Sequence, residues 1–135
     1  MAVKWSATVR NAVLDAWESS IGTAAIIRIY SGSAPANVGD AATGTLLVSY
    51  TLASDWAAAG SSGSKTLNSL PIAGTASATG TAGYYRIFAS NGTTCHEQGT
   101  VTATGGGGDM TISNTSITSA QTVNITGFTL TAPRA

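Results

Sequence analysis

Nothing limits the folds open to this chain more than a change of hydrophobic period at Gly22. Before it, Val9, Val13, Trp17 and Ile21 recur every four residues, with Ala12, Leu14 and Ala16 beside them. That spacing lays one apolar stripe along a helix. Ser6 is placed to cap the start and Gly22 to stop the end. Arg10, Asp15 and Glu18 fall off the stripe, and the two carboxylates are expected to be solvated. After Gly22 the apolar residues alternate instead. AAIIRIYS sets Ala25, Ile27 and Ile29 against Arg28 and Tyr30, and TLLVSYTL sets Leu46, Val48, Tyr50 and Leu52 against Leu47, Ser49 and Thr51.

The alternation continues to the end of the sequence. GYYRIFAS places Tyr85, Ile87 and Ala89 on one face and Tyr84, Arg86 and Phe88 on the other. TCHEQGTVTAT reads as a polar strand, DMTIS as a short one, and KTLNSL as a weak one. In TVNITGFTLTA the residues Val123 and Ile125 are in phase, whereas Phe128 and Leu130 take the opposite phase. Gly127 lies at that switch, as it would in a β-bulge or in a strand that changes sheets. Asn91-Gly92 between two strand-like runs signals a hairpin. The runs are β-branched and aromatic and have strand length. One helix followed by six to eight strands with no helix between them predicts an all-β fold, an antiparallel β-sandwich. The expected organisation is one domain, with residues 1–22 as an N-terminal helical segment and 23–135 as the sandwich.

Composition narrows the function classes. A chain of 135 residues is expected to form one domain. Charged residues make up only 9 %, against about 25 % in a typical soluble domain. A surface built from Thr, Ser and Asn has little like-charge repulsion to keep copies apart, which suits a protein working inside an assembly. Six basic residues balance six acidic ones, without a basic cluster, so the electrostatic footprint of a nucleic-acid binder is missing. Apolar runs are too short for a membrane helix. Arg10 and Asp15 interrupt any secretory h-region, so cytoplasmic synthesis is expected. Cys95 is the only cysteine, so no internal disulfide is possible. The sequons at Asn91, Asn114 and Asn124 are what chance supplies in a Thr- and Ser-rich chain.

The chemistry-bearing residues form no reactive pattern. The stretch TATGGGGDM holds four glycines, Gly105 to Gly108, followed by Asp109 and Met110. A phosphate loop needs a Lys and a Ser or Thr after its glycines and a helix behind them. Here an acidic residue and a strand follow, so the glycines are expected to connect two strands, with Gly106 and Gly107 free to let another backbone approach. Cys95, His96 and Glu97 are ligand-type residues, but in a regular strand Cys95 and Glu97 face one way and His96 the other. No Gly-x-Ser-x-Gly elbow occurs, and the carboxylates are scattered. No catalytic residue, cofactor or metal ligand is expected, and the protein is read as no enzyme. Tyr84, Arg86 and Phe88 would be a contact row if exposed; equally, both faces of a central strand would be covered. Trp56, at the end of a strand beside Asp55, and Tyr84 are the candidates for a sugar platform.

RNAVLDAWESSIGTAAIIRIYSGSAPAN, then GTLL, SDW, GTAGYYRIFASNGTTCHEQGTVTATGGGGDMTISNTSI and a closing VNITGFTLTA resemble small structural proteins of tailed bacteriophages. They look in particular like the capsid cement, or head decoration, proteins of short-tailed phages. The resemblance covers nearly the whole chain and is most specific over residues 80–117. It implies a jelly-roll sandwich without enzymatic activity, sitting as a dimer or trimer on the outside of the virion head. Such proteins clamp neighbouring major capsid subunits after the shell expands, through many weak contacts that sum by effective concentration. Candidate contact residues are Trp5, Val9, Val13 and Trp17 at the N-terminus, Asp55 and Trp56, Tyr84 and Arg86, and Gly106 and Gly107. A tail or fibre component and a carbohydrate-binding β-sandwich module are the alternatives.

Overall fold

Helix α1 spans Ala7–Ile21, with the caps that the sequence places at its ends. In the computed structural model, which describes residues 2–135, the Ser6 hydroxyl accepts from the Val9 amide at 3.3 Å. At the other end the Gly22 amide donates to the Glu18 carbonyl at 2.9 Å, with Gly22 at φ 92°. That backbone conformation suits glycine, which has no Cβ to clash.

The apolar stripe of α1 is divided between two faces. Leu14 and Ile21 are buried and Trp17 is half-buried, whereas Val9 and Val13 are 45 % and 41 % exposed. The inward face runs through Arg10, Asn11, Leu14, Asp15, Glu18 and Ile21, and most of these are polar. Hydropathy spacing alone cannot identify a face that is held by hydrogen bonds.

Nine strands follow: β1 (Ile26–Ser31), β2 (Leu46–Thr51), β3 (Ser64–Thr66), β4 (Ile72–Thr75), β5 (Gly80–Phe88), β6 (Cys95–Ala103), β7 (Met110–Ile112), β8 (Ser116–Ile117) and β9 (Thr122–Thr131). Their hydrogen-bonded order is β2-β1-β5-β6-β7-β9-β3, with β4 also on β9 and β8 on β5. The chain is therefore all-β with one helix, built on one curled mixed sheet. This order does not establish a two-sheet jelly roll. The sheet curls until its ends meet: Val48 bridges Ala76, and the Ser77 amide donates to the Leu47 carbonyl at 2.8 Å. Inside the curl lie Ile27, Ile29, Val48, Ile87, Ile112 and Ile125, all fully buried. These are the inward phases of the alternating runs, each side chain contributing about 1.5–3 kcal/mol by leaving water.

Strand β9 changes partners where the sequence changes phase. Its first half pairs with β4 (Ile125 opposite Ile72) and its second half with β3 (Thr129 opposite Thr66). On its other edge, Thr111 of β7 faces Gly127 and Ile112 faces Ile125. Thr126 is left over as a bulge, which returns Phe128 to the core. A Cβ on Gly127 would stand 2.7 Å from the Thr111 hydroxyl.

One pairing departs from the antiparallel expectation: β6 and β7 run parallel, with Val101 opposite Met110 and Ala103 opposite Ile112. Parallel neighbours ordinarily need a crossover of about a dozen residues or more. Here residues 104–109 suffice, because the glycine run folds straight back along β6.

Tyr50 also spans the closure of the curl, from β2 to β9. Its hydroxyl donates to the Val123 carbonyl at 2.8 Å, and burial pushes its phenol pKa up. The ring occupies the space over Gly74 of β4, where a Cβ would overlap Cε1 of Tyr50. Gly74→Ala should therefore cost about 1–3 kcal/mol through overpacking, read as a lower urea midpoint. An unchanged midpoint would show that the ring moves aside freely.

Candidate functional site

Polar contacts fasten α1 to its own sheet. Lys65 of β3, 2 % exposed, reaches Asp15 Oδ1 at 2.8 Å and Glu18 Oε2 at 2.7 Å. Asp15 Oδ1 also accepts from the Gly60 amide at 2.8 Å. Asn11 Oδ1 accepts from the Gly63 amide at 2.8 Å, and Arg10 donates to the Ala132 carbonyl from Nη2 at 2.9 Å and from Nε at 3.2 Å. Asp15 and Glu18, expected to be solvated, keep 49 % and 21 % of their side chains exposed, and both are nevertheless ligands of a buried ammonium. Burial works against the charged Lys65, but its hydrogen bonds to Asp15 and Glu18 outweigh it and raise its pKa. The Lys65 hydrogen bond, then the Gly60 amide, hold Asp15 below the usual carboxylate range. The Lys65 contribution is present below the ordinary lysine pKa and is lost as pH rises through the raised one. The Asp15 contribution is present above the ordinary carboxylate range and is lost as pH falls through the lowered pKa. The clamp is therefore fully made between those limits.

Beneath the C-terminal half of α1 lies an aromatic cluster around one carboxylate. Trp17 packs edge-on to Trp56 at 5.1 Å and stacks on Phe128 at 6.1 Å, and Tyr85 meets Phe128 edge-on at 5.8 Å. Glu97 of β6 accepts from Trp17 Nε1 at 3.0 Å and from the Tyr85 hydroxyl at 2.8 Å. Burial pushes the Glu97 carboxyl up; the two donors pull it down, and the charge of Asp109 adds to the rise. Trp56 itself is 2 % exposed, and its Nε1 donates to the Gly22 carbonyl at 2.8 Å. It locks the helix end and offers no stacking surface; its neighbour Asp55 is exposed.

The Cys95-His96-Glu97 run does not alternate regularly. Ile87 pairs with Glu97 and Phe88 with Cys95, so His96 is an extra residue. This bulge sends Glu97 inward with Ile87 and Cys95 to the opposite face with Phe88. Cys95 is half-buried, and its thiol pKa is pushed up by burial. Among the described residues no group of three His, Cys, Asp or Glu side chains is placed to hold a metal ion.

The row of Tyr84, Arg86 and Phe88 does point away from the core, but residues 32–45 lie across it as a strap. Tyr84, 1 % exposed, donates its hydroxyl to the Thr43 carbonyl and accepts from the Thr43 amide at 2.9 Å. It stacks on Tyr30 at 5.1 Å. Arg86, also buried, donates Nη2 to the carbonyls of Val38 at 2.7 Å and Asp40 at 2.9 Å. Both faces of the central strand are covered, so Tyr84 and Arg86 are not surface contacts. Trp56, against the end of α1, and Tyr84, beneath the strap, are both buried and present no ring face to solvent.

The glycine loop is bonded to its own chain, while Gly106 and Gly107 stay exposed. Gly105 and Gly107 have φ of 85° and 81°, which turn the backbone back on itself. A Cβ on Gly106 would lie 2.7 Å from Thr102 Cβ, and one on Gly108 2.9 Å from the Thr102 amide nitrogen. The Gly108 amide donates to the Thr102 hydroxyl at 3.0 Å, and Asp109 Oδ2 accepts from the amide and hydroxyl of Thr100 at 2.9 Å each. Trp5 is likewise tied to its own chain: its amide donates to the Arg134 carbonyl at 2.8 Å, and the Arg134 guanidinium lies 5.4 Å over its ring.

Of the candidate contact residues, Val9 and Val13 remain as exposed apolar side chains, one turn apart on the outward face of a fastened helix. Val3, 62 % exposed, precedes them. No helix of the described residues is long and apolar enough to cross a membrane. No family model matches this chain, and comparisons with curated proteins and with solved structures give no significant match.

The raised pKa of Glu97 has a testable consequence. Between the ordinary carboxylate value of 4.5 and the raised one, the folded protein holds a proton that the unfolded chain has released. Stability therefore falls as pH rises through that window. Glu97→Gln removes this titration. The urea midpoint of Glu97→Gln should thus gain on wild type as pH rises from 4.5; parallel midpoints at every pH would show that Glu97 titrates as it does when unfolded.

Proposed function

We propose that the protein is a non-enzymatic virion structural protein. In this reading it is a capsid cement or decoration protein that binds the outside of a phage head and bridges major capsid subunits, working as a dimer or trimer. The sequence resemblance points to that class, and one observation carries the reading in the molecule itself: the exposed pair Val9 and Val13. Apolar side chains on a helix whose inner face is already satisfied have nothing left to bury against within the chain. They suit a flat contact made many times over on a repeating surface, where weak contacts add through multivalency. The low charge of the surface fits such close packing of copies. Docking would take place on the outer surface of the capsid, during assembly in the host cytoplasm.

The test is co-sedimentation with expanded phage heads. Wild type should pellet with them, and Val9→Lys/Val13→Lys should keep its circular dichroism spectrum but bind at least about tenfold more weakly, since losing about 1.4 kcal/mol already gives that factor. Equal pelleting of the double variant would remove α1 from the contact. Wild-type protein that ignores heads and instead shows glycan-dependent quenching of Trp fluorescence would overturn the assignment itself.

A further inference from the structure

We propose that the cleft between the strap and the β5–β6 hairpin binds a compact oxyanion, a carboxylate or a phosphate, between Arg28 and Arg86. The register of the sheet places these two arginines directly opposite each other on β1 and β5, and Gln98 of β6 continues the row beside Arg86. Like charges facing each other across a strand pair are destabilising. Nevertheless, among the described residues no carboxylate lies within salt-bridge distance of either guanidinium; the ion pairs found there belong to Lys65. The acidic residue that lines the same cleft is Asp40, but its Oδ2 accepts from the amide and side chain of Asn37 at 3.0 and 3.2 Å.

The row is also incompletely bonded. Buried side-chain donors without a hydrogen-bond partner include Arg28 Nε and Arg86 Nε; the acceptor Gln98 Oε1 is also unpaired but is not part of the cleft lining. An orphaned buried donor is costly, and more so when it is charged. Arg28 uses Nη1 on the Gly92 carbonyl at 2.9 Å, and Arg86 uses Nη2 on the strap. Phe88 lies 4.7 Å from the Arg28 guanidinium and 5.9 Å from that of Arg86, so its ring holds both groups without neutralising either. Two fixed guanidiniums over an aromatic floor form the donor arrangement that recognises a planar or tetrahedral oxyanion. The cleft, about 570 Å³, is wide enough for one, with Thr93 and Thr94 at its rim. This site stands apart from the outward face of α1 and does not depend on the assembly reading.

The experiment follows the arginine Nε–Hε resonances of the full-length protein by NMR. Sodium phosphate, sodium acetate and sodium chloride are titrated at constant ionic strength. Phosphate or acetate should shift the Arg28 and Arg86 signals saturably while chloride leaves them in place; whichever ion acts identifies the chemistry. Arg28→Gln should abolish the saturable shift of Arg86. Arg28→Lys keeps the charge but loses the fork, and should weaken it at least tenfold. Shifts that are linear in salt, or the same for all three ions in wild type, would overturn the proposal whether or not the variants fold. So would an undiminished Arg86 shift in a folded Arg28→Gln.

Discussion

Lys65 sits at the centre of the structure's long-range order. Its ammonium is buried at the mouth of the curled sheet and is held by two carboxylates that both come from α1. A buried charge with no partner is costly enough to oppose folding, so β3 and α1 are interdependent. Once Asp15 and Glu18 are drawn in, the rotation of the helix is fixed. Leu14, Trp17 and Ile21 then face the sheet, Trp17 reaches Glu97, and Trp56 closes on the carbonyl of Gly22. The same rotation turns Val9 and Val13 to the outside. Val9 and Val13 share the apolar stripe with Trp17 and Ile21 but are exposed, because a charge, and not the stripe alone, decides which way the helix faces.

Much of the fold is legible in the sequence because it depends on local chemistry. The caps at Ser6 and Gly22, the hairpin around Asn91-Gly92 and the phase switch at Gly127 each follow from a short stretch of residues. The alternation in GYYRIFAS marks the two faces of β5 correctly, with Tyr85 and Ile87 in the core. What escapes depends on distant partners. The phase of α1 requires knowing where Lys65 lies. Strand β4 has a glycine in its middle, where the Tyr50 ring packs, and is held by pairing with the distant β9, while β8 is too short to show a period. The parallel run of β7 hinges on how tightly four glycines fold onto Thr102. The bulge at His96 reverses Cys95 relative to Glu97, and nothing in TCHEQ marks it.

The molecule invests its irregular segments in covering itself. The strap of residues 32–45 lies over the outer face of β1 and β5, held by Tyr84 and Arg86 and leaving a cleft beside it, and the glycine loop is bonded to Thr100 and Thr102. Tyr84, Arg86 and Trp56, which stand out in the sequence as large or charged, are absorbed into the fold, whereas Asp55, Gly106 and Gly107 stay exposed. The outward valines of α1 are not absorbed, and neither are the remaining donors of Arg28 and Arg86. The first suits a repeating protein surface and the second a small anion, and they lie on different elements.

The claim that a buried ammonium sets the orientation of α1 is tested most directly by native-state hydrogen exchange on Asp15→Asn/Glu18→Gln. With both carboxylates neutralised, the amides of α1 should lose protection well before those of β1, β5 and β9, which stay protected by the core. If α1 keeps its full protection relative to those strands, apolar packing alone holds the helix, and the Lys65 ammonium does not set its orientation.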